Sequence, residues 1–261
     1  MREIRMQDVQ APPVPEQVPD EVAAPAASEG LGELRASFGP KRLSGAAMTG
    51  LIVMCLVGLA LFVLPGLIFI WRLTQVPNLN KKQGAKRIHC FEHGVVAGDR
   101  AGRPVAFRWD DAAVLQQITR RYVNGFHTVT TYLYTLYRPD GTSVELTGFY
   151  ADPVVWGAAF QHEITRSQLP GVLDVVRRGG TVRFGDIAVN AGGVANARSG
   201  SLAWPEVERI EVKDGTVFVS KAGKLFGWSN TPVHRIPNFF VFLAVVDEMR
   251  GSAGAGTSPG H

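Results

Sequence analysis

Between Arg42 and Arg72 the chain reads LSGAAMTGLIVMCLVGLALFVLPGLIFIW, 29 residues with no ionisable side chain other than Cys55. As a helix rising about 1.5 Å per residue the run would be roughly 43 Å long, more than the hydrocarbon core of a bilayer at about 30 Å. A helix buried in a protein core rarely stays apolar on every face for so long. The run therefore predicts one transmembrane helix over residues 43–73. Pro65 offers no amide donor and predicts a kink around Leu61 to Gly66, while Trp71 suits the headgroup level at the far end. The small residues Gly50, Gly58 and Ala60 would admit a second helix, although no GxxxG pair fixes such a contact.

The flanks determine what this anchor would connect. Residues 1–40 carry five prolines by position 25, few bulky apolar groups and no period, and read as a disordered tail. The apolar run is too long and starts too late for a cleaved secretory signal, which leaves it in place as an anchor. Arg35, Lys41 and Arg42 stand before it, against Arg72, Lys81, Lys82, Lys86 and Arg87 after it. Three basic groups against five predict a cell-membrane protein, single-pass, with its C-terminal domains in the cytoplasm and its tail outside. The same Lys81, Lys82, Lys86 and Arg87 are candidate contacts for lipid headgroups, or simply determinants of topology. Arg120 with Arg121 and Arg177 with Arg178 would extend that surface if they share its face.

The whole chain of 261 residues has a net charge of +4, and its basic groups gather beside the apolar run. That distribution points to a membrane surface before a nucleic acid. The two cysteines, Cys55 within the run and Cys90 beyond it, provide no disulfide framework, in keeping with a reducing compartment.

Past a linker at 74–84 the texture changes to short alternating runs separated by glycine, the pattern of antiparallel strands. This region repeats itself. IHCFEHGV at 88–95 matches IAVNAGGV at 187–194, placing Gly94 over Gly193. PVAFRWDDAAV then reaches Trp109 and an acidic turn, as GSLAWPEVERI reaches Trp204. LYRPDGTSVELTG and VKDGTVFVSKAGKLFGW supply a further strand and turn in each copy. Each copy closes with a helix. The first is capped by Asp152 with Pro153 in its first turn, and Val155, Trp156, Ala159, Phe160 and Ile164 form its inward stripe. The second opens at Asn238, turns Phe239, Phe242, Leu243 and Val246 inward, and is stopped by Gly251. Between the copies LPGVLDVVRRGG reads as a short connecting helix over 168–179. DDAAVLQQITRRYVNG fits a helix or a strand. Its counterpart PEVERIEVKDG, short and rich in valine and isoleucine, favours strand.

Two copies of a strand meander closed by a helix resemble the bacterial form of the pleckstrin-homology-like (PH-like) domain. The order HCFEHGVV, FRWDD, RPDGTSVELTG, then VRFGD, LAWPEV and IPNFFVFL is similar to an uncharacterised bacterial membrane-protein family with tandem domains of that type. The resemblance implies an α+β fold: one transmembrane helix followed by two tandem PH-like domains, at 85–167 and 180–250, with a disordered tail at 251–261. It carries over no catalytic or binding residue.

The constellations that would carry chemistry are sparse. On one strand His89 and His93 share a face and Cys90 takes the other, so three metal ligands do not converge. Cys90 has no identifiable base beside it, and His162–Glu163 lacks the second histidine of a zinc protease motif. NAGGVANARSG has the glycines of a phosphate loop without its lysine. Asp110, Asp111 and Glu206 follow buried tryptophans in turns and need no catalytic account. The reading is a non-enzymatic binding or scaffold protein with no cofactor, no metal and no nucleic acid, whose partner is the lipid bilayer together with a protein or an anionic lipid. The alternatives are a membrane-bound hydrolase using Cys90 or the acidic turns, and a one-span sensor.

Overall fold

The computed structural model describes residues 18–61, 63–123, 126–224 and 227–255. It forms two compact units, Met1–Ala106 with Gly148–Val155, and Phe107–Thr147 with Trp156–His261.

In the first unit, helix α1 (Asp20–Ser28) leads to strand β1 (Leu34–Phe38), and the apolar run follows as α2 (Gly45–Leu61) and α3 (Val63–Thr74). A single turn, α4 (Lys81–Ala85), precedes β2 (Ile88–Phe91), β3 (Gly94–Gly98) and β4 (Pro104–Arg108). The four strands make one sheet in the order β1-β2-β3-β4. Strand β1 pairs antiparallel with β2, Phe38 opposite Ile88 and Leu34 opposite Phe91.

That pairing overturns the transmembrane helix. A segment crossing the bilayer once would put β1 and β2 on opposite sides, yet they are hydrogen-bonded neighbours. Among the described residues no helix is long and apolar enough to cross a membrane. The run is taken up by a helix of 17 residues and one of 12 that ends three residues past it at Thr74, with Phe62 between them outside the described residues. Pro65 cannot donate to the carbonyl of Leu61, the last residue of α2, and falls in the first turn of α3, where a missing donor costs nothing. The two ends of the run meet, because the side-chain amide of Asn78 accepts from the backbone N–H of Leu43 at 3.0 Å and donates to its carbonyl at 3.1 Å. The chain leaves and returns at one place, and α2 and α3 form a hairpin.

Residues 18–40, read from composition as disordered tail, are structured. Ala26 and Leu31 are buried with Phe91, Val96 and Ala106, and Val18, Val22 and Leu34 pack against this cluster. Residues 1–17 and 256–261, the outer parts of the two predicted tails, lie outside the described residues. Gly39 and Lys41 exchange backbone hydrogen bonds with Ala151 and Phe149, which ties the start of the helical hairpin to the 148–155 segment.

The second unit holds three sheets and two long helices. Strands β5 (Ala113–Val123), β6 (Phe126–Tyr137) and β7 (Ser143–Thr147) form a meander, followed by helix α5 (Pro153–Arg177), whose first three residues belong to the first unit. Strands β8 (Val182–Phe184), β9 (Ile187–Asn190), β10 (Gly193–Asn196) and β11 (Gly200–Ala203) form the next sheet. A third comprises β12 (Val207–Lys213), β13 (Thr216–Lys221) and β14 (Ser229–Pro232), and α6 (Phe239–Ala255) closes the chain. A four-stranded sheet, a three-stranded sheet and a helix therefore occur twice in that order. Among the described residues none of the four sheets closes into a barrel, so the predicted pair of PH-like domains behind a transmembrane helix gives way to small antiparallel sheets with helices. The alternating residues 113–123 are a strand, and the predicted connecting helix is continuous with the helix before it.

The core of this unit is aromatic. Trp109 and Trp156 lie 5.3 and 5.5 Å from Phe160 between ring centroids, and Tyr134 meets Trp156 edge-on at 5.0 Å. Phe184 packs edge-on against Phe242 at 5.5 Å. The residues preceding the closing helices, Asp152 and Asn238, both have positive φ, at 54° and 50°. Asn238, expected as a cap, directs its side chain elsewhere: it accepts from the Val114 N–H at 2.7 Å and donates to the carbonyl oxygens of Ala112 and of the Gln168 side chain.

Candidate functional site

The hairpin α2–α3 carries no charge before Arg72, and most of its described side chains are exposed. Leu56 is 63% exposed, Trp71 63%, Ile68 59% and Leu67 52%, with Ile52 and Met54 similarly open. Among the described side chains of the two helices Cys55 is the buried one. Isolated exposed leucines are ordinary; a contiguous surface of this kind marks an interaction site. Its backbone polar groups are largely satisfied within the helices, the condition for entering hydrocarbon.

The foot of the hairpin has the opposite character. From Leu34 to Phe91 the chain has eight lysines and arginines and no aspartate or glutamate, leaving 19 basic and 23 acidic groups for the remainder. Arg35 pairs with Glu92 at 2.9 Å. Lys86 lies over the ring of Phe149 at 5.9 Å from its centroid, and Arg87 approaches Gly39 so closely that a Cβ there would lie 3.2 Å from a guanidinium nitrogen. Lys81 and Lys82 are exposed and have no ion-pair partner among the described residues. They border an open hollow of about 450 Å³ lined by Ile70, Leu73, Thr74, Leu79 and Asn80. Asn80 shapes the hollow by accepting from the Gln83 N–H and donating to the Thr74 carbonyl at 2.9 Å. The four candidate lipid contacts thus separate: Lys81 and Lys82 border the hollow, while Lys86 and Arg87 pack against the protein.

A second concavity, of about 720 Å³, lies in the other unit between α5, α6 and β12. Phe240, Leu243, Ala244 and Ile210 give it an apolar wall, with His162, Asp247 and Arg250 among its polar residues. The hydroxyl of Thr165 on its α5 side is buried without a hydrogen-bond partner among the described residues.

The remaining residues singled out in the sequence are dispersed. His89 is buried with Nδ1 3.4 Å from the Ser37 hydroxyl, and burial, followed by the Arg87 charge, lowers its pKa. Cys90 is buried and its thiol is pushed up to about 12, so it is a neutral core group near neutral pH. His93 is exposed beyond the end of β2. No group of three or more potential metal ligands assembles among the described residues. Asp110 is bonded to Arg108 at 2.9 and 2.6 Å. Glu206 holds Lys221 at 2.6 Å and accepts from the Ala203 N–H, and these contacts lower its pKa. Arg177 pairs with Glu248 and Arg178 with Asp174, while Arg120 and Arg121 are exposed on β5. The hollow is formed within one stretch, Ile70 to Lys82, where the end of α3 and the turn leading into α4 fold against each other, and sequence reasoning read this stretch only as a linker with charges.

The sequence pattern of a family of unknown function, DUF6585, matches residues 14–254. The chain belongs to that family. The match takes in both units of this DUF6585 protein, the hairpin and the hollow included. No curated protein and no solved structure matches it significantly.

Proposed function

We propose that this protein is a binding protein of the membrane surface, held there by the α2–α3 hairpin, which enters the lipid from one side and leaves by the same side. The sheets and long helices then form a recognition body for a partner at that surface. The observation that carries this reading is the exposed apolar surface of a hairpin whose ends meet at Leu43 and Asn78. Each exposed leucine, isoleucine, valine or phenylalanine gains on the order of a few tenths of a kcal/mol in hydrocarbon, and no charge along the hairpin before Arg72 opposes entry. A helix of 17 residues is about 25 Å long and ends short of the far boundary of a core of about 30 Å.

Vesicle flotation tests the reading. The full-length protein is expected to float with lipid, and a Leu56→Asp/Ile68→Asp variant, altered at two exposed positions, to remain in the aqueous fraction. Wild-type protein that stayed in the aqueous fraction as a stable dimer would overturn the proposal and assign the apolar surface to a second copy.

A further inference from the structure

We infer that the hollow at the foot of the hairpin is a site for the anionic headgroup of a phospholipid, so that the protein selects negatively charged membranes. The inference rests on the membrane reading above and adds the lipid class and the residues that choose it.

The hollow joins two chemistries. Ile70, Leu73 and Leu79 present apolar side chains continuous with the hairpin, as the glycerol and upper acyl region of a lipid requires. Lys81 and Lys82 stand at its border, exposed and without an ion-pair partner among the described residues. Because the Asn78 clamp draws Leu43 to the same foot, Lys41 and Arg42 arrive there from the other end of the run. No carboxylate occurs in sequence between Glu33 and Glu92 to offset these cations. A lysine ammonium is a compact, mobile point charge suited to a phosphate that presents many orientations. A basic group near an anionic leaflet contributes about fivefold to partitioning, so replacing both lysines by glutamate should reduce it on the order of thirtyfold or more. Because the attraction is screened, it also weakens as salt rises and the Debye length falls to about 3 Å at 1 M.

The experiment is flotation of the full-length protein with phosphatidylcholine vesicles, with and without phosphatidylglycerol, for the wild type, Lys81→Glu/Lys82→Glu and a Lys213→Glu control. Lys213 is exposed on β12 in the other unit. The expected result is stronger flotation of wild type and control on the anionic vesicles, with the double variant falling back to the level seen on phosphatidylcholine. Equal flotation on both vesicles, or a double variant that keeps the preference, would overturn the inference and leave the membrane reading intact. Failure of the wild type to float on either vesicle would overturn both. Loss of the preference on adding soluble glycerol phosphate at low millimolar concentration would assign the lysines to a free phosphate and overturn the inference.

Discussion

Asn78 holds Leu43 from both sides, its amide oxygen on the Leu43 N–H and its amide nitrogen on the Leu43 carbonyl, across 35 residues of sequence. The contact closes the hairpin at its foot, as the β1–β2 pairing closes the sheet beneath it. Replacing Asn78 by alanine removes two exposed hydrogen bonds, a cost of about 1 kcal/mol. Hydrogen exchange should show the Leu43 amide opening several-fold faster in Asn78→Ala, with β2 and β3 unchanged. Unaltered exchange at Leu43 would show that the clamp does not hold the foot.

Gly157 lies in the buried stripe of α5, where helix propensity alone favours alanine. A Cβ at this position would fall against the hydroxyl and ring of Tyr134, which is itself fixed edge-on against Trp156. Overpacking of this kind costs about 1–3 kcal/mol. Gly157→Ala should therefore lower the melting temperature, although alanine is the better helix former.

At Asn238, three side-chain hydrogen bonds and a positive φ act together. Asn238→Ala loses the bonds and keeps the strained backbone, so we expect a loss of about 2–4 kcal/mol in urea denaturation. Asn238→Gly should be destabilised less, because glycine accepts the left-handed conformation. Equal losses in the two variants would show that φ contributes nothing.

Cys90 and Tyr134 predict how stability responds to alkali. Burial pushes both groups up to about 12 in the folded chain, above the ordinary values of roughly 8.5 for a thiol and 10 for a phenol. The unfolded chain then loses these protons first, so their contribution is complete below about pH 8.5 and declines as pH rises toward 12. Urea midpoints should fall across that window. In Cys90→Ala, the part of the fall that begins near pH 8.5 should be smaller.

These residues also show where sequence reasoning reaches and where it stops. The period of DDAAVLQQITRRYVNG left helix and strand open, and the valine- and isoleucine-rich counterpart PEVERIEVKDG decided for the strand seen at 113–123, while the apolar periods of the closing helices placed Trp156, Phe160, Phe239 and Phe242 inward, where they are buried. Those signals are local. Pro65 was legible as a kink, but the reversal that makes a hairpin was not, because hydropathy sums apolar residues and contains nothing of the hydrogen bonds between Leu43 and Asn78. Nor does hydropathy contain the pairing of Phe38 with Ile88, a contact between residues on either side of the run. The segment containing α1 and β1 reads as featureless for the same reason, since Ala26 and Leu31 are buried in a cluster with Phe91, Val96 and Ala106, far along the chain. Lys81 and Lys82 were visible as charges, but the hollow they border depends on the fold of residues 70–82, where Asn80 bonds back to the Thr74 carbonyl.

Whether the apolar hairpin enters and leaves lipid on one side is decided by the sidedness of its two flanks. Ser28→Cys before the hairpin and Ser167→Cys after it, both at exposed positions, can be placed singly in the full-length protein bound to sealed vesicles and treated with a membrane-impermeant maleimide. Cys55 and Cys90 are buried and give a low background. Our account predicts that both introduced cysteines are labelled from the outside to the same extent. Labelling of one with protection of the other until the vesicles are lysed would contradict it.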